Sequence, residues 1–170
     1  PLAVAQHGVG WHGAAVGWRI LAGDGGAGFV PDTGEVRLLN APQGPGVRFD
    51  CGVTPGARVT ADFDSMLAKL VVHGADRALA ISRMRQALSE LAMLGVTVNA
   101  DYLSRVIGHP AFAEGATDTG FLERHRDALR PRAWTDAERR ALVAVAARVV
   151  RTPHADTPAE PWASMGAWRN

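Results

Sequence analysis

"FDSMLAKLVVHGADRALAISRMRQAL", residues 63–88, contains the change of period on which the fold turns. Up to Gly74 it is a short apolar run bounded by Asp-Ser and glycine, the mark of a strand. From Asp76 onward the apolar residues recur at the helical spacing. Asp76 can cap that helix by accepting backbone N–H groups that the first turn leaves without partners. Ile81, Met84, Leu88 and Leu91 then fall on one stripe, widened by Ala80, Ala87 and Leu94, while Arg77, Arg83, Arg85 and Glu90 lie off it. Gly95 is the expected left-handed C′ residue. The strand also poses a question, because Lys69, the only lysine of the chain, interrupts it. A lysine can lie along the wetter face of a strand with its ammonium in water, or it can belong to a reaction site.

Working outward, the first part of the chain alternates short apolar runs with turn clusters. "AAVGWRIL" (14–21), "GEVRLLNA" (34–41), "GVRFDCGV" (46–53), "ARVTA" (57–61) and "MLAKLVVHG" (66–74) are the predicted strands. The glycine and proline clusters between them leave no room for helical crossovers, so the pairing should be antiparallel. A second helix is predicted from Asn99 as cap through Ile107, ending before "GHP" because the residue preceding proline avoids helical geometry. The following "AFAEGATDTGFLERH" reads mostly as turn. A third helix opens at Thr135, where "TDAE" gives Thr135 and Glu138 the capping-box spacing, with Leu142, Val145, Val149 and Val150 as its stripe. "TPHADTPAEP" is a proline-punctuated linker and "WASMGAWRN" the start of another element.

The 170 residues suffice for one core plus an appended segment. A net charge of +1 with interspersed acids and bases, and no basic stripe interleaved with aromatics, argues against nucleic acid as a partner. Cys51 is the single cysteine, which excludes an intrachain disulfide and a thiolate cluster and fits a reducing, cytoplasmic setting. No apolar run is long enough for a bilayer. The chain opens on Pro1 without an initiating methionine, so a part of a longer polypeptide is expected.

"GDGGAG" (23–28) has dinucleotide-fingerprint spacing, yet Pro31 and the turn after it forbid the helix that such a loop must open; it reads as a glycine turn. The six histidines show no metal-ligand spacing, and no metal site is predicted. Asp64, Ser65 and His73 could be sketched as a hydrolytic triad, but no nucleophile elbow surrounds the serine. Arg19 is the stronger candidate, one guanidinium in the otherwise apolar "GWRILAGD". Burying it unpaired would cost several kcal/mol, so either a carboxylate (Asp24, Asp50, Asp62 or Asp64) or an anionic ligand should meet it.

"RILAGDGGAGFVPDTGEV", "APQGPGVRFDCGV", "FDSMLAKLVVHGADRALAISRMRQAL", "LGVTVN" and "HPAFAEGATDTGFLE" stand here in one order. Together, from about Gly13 to Glu123, they resemble the C-terminal domain of biotin carboxylase from the α subunits of biotin-dependent acyl-CoA carboxylases of the methylcrotonyl-, geranyl-, acetyl- or propionyl-CoA type. The "PW…WR" ending looks most like the first two. The resemblance implies an α+β fold of the rudiment single hybrid type, an antiparallel-rich sheet packed with two or three helices and followed by a helical linker. It divides the chain into residues 1–125, this domain shortened at its N-terminus; 126–158, the linker; and 159–170, the start of a further domain.

It also implies a ligase that uses ATP and Mg²⁺ to activate bicarbonate and carboxylates biotin on a carrier. The nucleotide and metal sites would lie in upstream lobes, leaving no cofactor-binding residue in this fragment, which alone should be inactive. Matched to the family pattern R-I-N-A-E-D, Arg19 becomes the catalytic arginine that holds the ureido oxygen. Asp64, on the aspartate of the motif aromatic–Asp–Ser/Pro–Met, is placed to orient Arg19 or border the biotin site. Arg48 matches a homodimer-interface position. A carrier domain and a carboxyltransferase subunit are the implied partners. Biotin is not attached here, since Lys69 lacks the methionines that flank the family's carrier lysine. Leu21 and Gly23 replace the usual asparagine and glutamate, and Ala14 and Gly17 a histidine and a glutamate, which should weaken the support of Arg19. The rival reading is a non-catalytic homologue kept as a dimerisation scaffold.

Overall fold

The computed structural model describes residues 4–25, 28 and 30–151, so "TPHADTPAEP", "WASMGAWRN" and part of the 23–28 glycine turn lie outside the described residues. β1 (Ala14–Leu21), β2 (Gly34–Glu35), β3 (Leu38–Asn40), β4 (Val47–Cys51), β5 (Arg58–Val59) and β6 (Met66–Gly74) lead into α1 (Arg77–Glu90) and β7 (Ala92–Leu94). Then come α2 (Ala100–Gly108), the single turns α3 (Pro110–Ala113) and α4 (Phe121–Arg124), and α5 (Asp136–Arg151). These residues form two compact units divided between Pro131 and Arg132.

β6 is the middle strand of a sheet ordered β1-β6-β4, with antiparallel pairing on both sides. Two further pairs, β2–β5 and β3–β7, are also antiparallel, so the expected α+β class with antiparallel-rich sheets is what the chain adopts. Alternation along β6 sends Leu70 and Val72 into the core while Lys69 and His73 stay exposed on the other face. On the inner face Val16, Ile20, Leu70 and Val72 meet Ala80, Met84, Ala87 and Leu88 of α1. Each large side chain so buried contributes about 1.5–3 kcal/mol, which makes α1 the main fastener of the sheet. Asp76 caps α1, its carboxylate accepting the Leu79 N–H at 2.8 Å.

Several expectations differ from what is observed. Residues 34–41 are not one strand: the Val36 N–H donates to the Ala57 carbonyl and the Arg37 N–H to that of Leu94, so the chain changes partner at Val36. The first helix stops at Glu90, not at Gly95, because Leu91 turns extended (φ −68°, ψ 116°) and the next three residues pair with β3. Leu94 is consequently exposed rather than part of the helical stripe. Gly95 does take the left-handed region (φ +103°), but as the residue after β7, where a Cβ would collide with the Glu35 carbonyl oxygen. Residues 111–125, read mostly as turn, contain the rest of α3 after Pro110 and all of α4, each too short to show a period. The compact unit continues past Arg124, since Leu129 is buried against Val106 and Phe121.

The Thr135–Glu138 capping box forms in the second unit: the Thr135 N–H donates to Glu138 Oε2 at 2.8 Å and the Glu138 N–H to Thr135 Oγ1 at 3.2 Å. Gly95→Ala should lower the free energy of unfolding by more than about 2 kcal/mol in urea titrations, combining a positive φ with a backbone collision. Gly108→Ala, where a Cβ would meet nothing within 4 Å, should leave stability intact and serves as its control.

Candidate functional site

β1 lies at the sheet edge, so its outward backbone groups need partners that β6 cannot supply. Residues 97–99 supply them. The Gly23 N–H donates to the Thr97 carbonyl at 2.9 Å, and the Asn99 N–H to the Leu21 carbonyl at 3.2 Å. The Asn99 side chain completes the set: Oδ1 accepts the Leu21 N–H at 3.0 Å, and Nδ2 donates to the Arg19 carbonyl at 3.2 Å. Asn99 thus stands at the N-terminus of α2 without capping it by its side chain, whose polar atoms are directed to β1 instead. It is the one buried polar residue among those described, 3 % exposed. Asp32 braces the same segment from outside, its Oδ2 accepting the Thr97 N–H at 2.7 Å and its Oδ1 the Thr33 N–H at 2.9 Å. Those donors, Thr97 foremost, hold the Asp32 carboxyl below the usual carboxylate range.

Clamped this way, Arg19 projects from the open face of the sheet and is exposed. Register aligns it with Lys69 on β6, and Lys69 with Asp50 on β4. The outward direction of the Arg19 and Leu21 backbone groups makes Arg19–Lys69 the non-hydrogen-bonded kind of antiparallel pair, with side chains closest and Cα atoms about 4.5 Å apart. Arg19, Lys69 and Asp50 line an open pocket of about 420 Å³ with Gly52, Met66, Leu67 and Ala68.

No ion pair reaches Arg19 among the described residues, so the structural-ion-pair alternative does not hold; an exposed guanidinium needs no buried counter-charge. Asp50, the nearest acid by register, is taken by Arg48, whose Nε donates to both carboxylate oxygens at 2.9 and 3.0 Å. That contact raises the Arg48 pKa further. Arg48 itself is exposed on the same open face as Arg19.

Asp64 is exposed in the turn before β6 and makes no hydrogen bond to Arg19, so the expectation that it orients Arg19 is not met in this structure. Residues 97–99 do that instead. Ser65 contributes its carbonyl, which accepts the Ala22 N–H at 2.8 Å. His73 lies farther along β6, opposite Ala15, so no triad is assembled. Leu21 and Gly23, where the resemblance leads one to expect polar side chains, are held through their backbone. The clamp on Arg19 therefore survives those replacements. Asn99 as a positioning residue was not legible in sequence, because its place before a helix is accounted for equally well by capping.

The site is thus an exposed arginine on an open sheet face, clamped through its backbone and beside a pocket. The chain belongs to the biotin carboxylase C-terminal domain family, which it matches over residues 17–124. It is 34 % identical over 163 residues to the mitochondrial methylcrotonoyl-CoA carboxylase subunit alpha of Dictyostelium discoideum, covering 93 % of this chain and 23 % of that protein. It is 43 % identical over 99 residues to the biotin-dependent acyl-coenzyme A carboxylase alpha3 subunit of Mycobacterium leprae, covering 58 % and 17 %. Its fold superposes with TM-score 0.74 and 29 % identity on the biotin carboxylase domain dimer of the Hydrogenobacter thermophilus 2-oxoglutarate carboxylase, solved with MgADP, ADP and bicarbonate, covering 78 % of this chain and 29 % of that one. The chain therefore spans less than a third of each of these proteins.

Asn99→Ala should destabilise the fold by about 1–3 kcal/mol, since it strands the Arg19 carbonyl and the Leu21 N–H, and thermal unfolding would show it. For Asp32 the sign follows from a folded pKa lowered below 3.8: its stabilisation is complete above that value and is lost as pH falls through the folded one. Denaturation at pH 5 and pH 3 should show a smaller acid-induced loss for Asp32→Asn than for the unaltered chain.

Proposed function

We propose that this chain is the C-terminal part of a biotin carboxylase, contributing to the ATP- and bicarbonate-dependent carboxylation of carrier-bound biotin in an acyl-CoA carboxylase, and inactive by itself. The observation that carries this reading is the Arg19 guanidinium, clamped through its backbone, free of any ion pair among the described residues, and facing a pocket. A fixed cation with unspent N–H donors fits a urea oxygen that gains negative charge.

Biotin, when bound, supplies a ureido nitrogen that accepts the carboxyl group. Arg19 would donate to the adjacent ureido oxygen and stabilise negative charge placed on it. A donor already in place costs no reorganisation when that charge develops, and loss of one such donor costs about 3–4 kcal/mol. Asp64, exposed in the turn before β6, is assigned to the edge of the same site. ATP and Mg²⁺ are assigned to the upstream lobes of the longer polypeptide. Arg48, exposed on the open face, is assigned to a homodimer contact. A biotin carboxyl carrier domain and a carboxyltransferase subunit are the further partners, in the cytoplasm.

In the full-length polypeptide, Arg19→Ala should lower turnover of biotin carboxylation by on the order of 10²-fold while leaving nucleotide affinity unchanged. Carboxylation at the unaltered rate would remove Arg19 from the chemistry.

A further inference from the structure

Lys69 has no explanation in the fold. Its stem is not needed to cover the core, because Leu70 and Val72 fill the inner face of β6 and Lys69 is exposed on the other. Its cross-strand neighbours make its position costly. In the closer, non-hydrogen-bonded pair it faces a second cation, Arg19. Like charges directly opposed across strands destabilise a sheet. The acid that could offset this, Asp50, stands in the wider hydrogen-bonded pair and is already held through both oxygens by Arg48. Neither Arg19 nor Lys69 has an ion pair among the described residues. The floor between them is partly apolar, with Leu67 and Ala68 nearly buried, which strengthens the field the two cations present to a small ion.

From this juxtaposition we propose that Lys69 and Arg19 form a two-cation subsite for a planar oxyanion of the carboxylate class, with Arg19 giving a planar fork of donors and Lys69 a mobile point charge at its side. The idea rests on the biotin carboxylase reading only for the source of the anion, which is either free bicarbonate or the carboxyl group once it is carried on the ureido ring. Arg48 and Asp50 neutralise each other at the rim and leave the net charge of the subsite positive.

The chain offers a direct probe, because Lys69 is its sole lysine. Reductive methylation with ¹³C-formaldehyde keeps the charge and yields one lysine side-chain NMR signal, identified by its loss in Lys69→Arg. Titration with bicarbonate should move that signal saturably, chloride at equal ionic strength should not, and Arg19→Gln should weaken the apparent affinity about tenfold. Identical responses to both salts, or an affinity untouched by Arg19→Gln, would overturn the subsite. In the full-length polypeptide, Lys69→Met should raise a KM about tenfold and Lys69→Arg restore it, with bicarbonate affected if the free ion is bound and biotin if the carried carboxyl group is. Unchanged KM values in Lys69→Met, with Arg19→Ala still impaired, would end this inference and spare the proposed function. Full activity of Arg19→Ala would end the function and leave the anion titration to decide the subsite alone.

Discussion

The structure depends on β6 being paired on both sides and covered on only one. With β1 and β4 as neighbours, its backbone is satisfied within the sheet, and its alternation becomes a sorting rule for the whole domain. Leu70 and Val72 are drawn under α1 and Lys69 and His73 face outward, while Leu67, beside the irregularity in register, is buried in a second cluster. A core so built allows no slip in register, since a shift of one residue would bury Lys69 and expose Leu70. The same constraint that stabilises the fold therefore fixes which side chains the open face displays.

On that face the chain concentrates charge that packing does not require. The guanidinium of Arg19 is steered by its backbone alone, through partners on residues 97–99, and its side chain is left uncommitted. Arg48 is spent on Asp50, by contrast, and a spent cation has little left for a ligand. The distinction between paired and unpaired cations across one small surface says more about chemistry than the identity of any one residue does.

Much of this was legible in the sequence and some was not. Strands 14–21 and 66–74 could be read to the residue because their apolar runs end in glycine or polar turns. The start of α1 could be read because Asp76 has few other uses. The end of α1 could not, since "LAMLG" keeps the helical spacing; β3 needed a partner, and a tertiary demand prevailed over the local pattern. The break at Val36 was hidden for the same reason, as the neighbour of each half lies tens of residues away. Arg19 was legible as an oddity, and the role expected of it came from the resemblance of the five ordered blocks. Its alignment with Lys69 and Asp50 depends on register, which no single segment encodes.

The clamp at the edge of β1 also orders events in time. Arg19 and Asn99 are 80 residues apart in the chain, whereas β6 and α1 follow each other directly. During synthesis the strand that carries Arg19 leaves the ribosome long before its edge can be closed, and local contacts between β6 and α1 are available first. Within this domain the arginine is made 80 residues before the asparagine that holds its strand, so a nascent chain halted before Asn99 carries the guanidinium without its clamp.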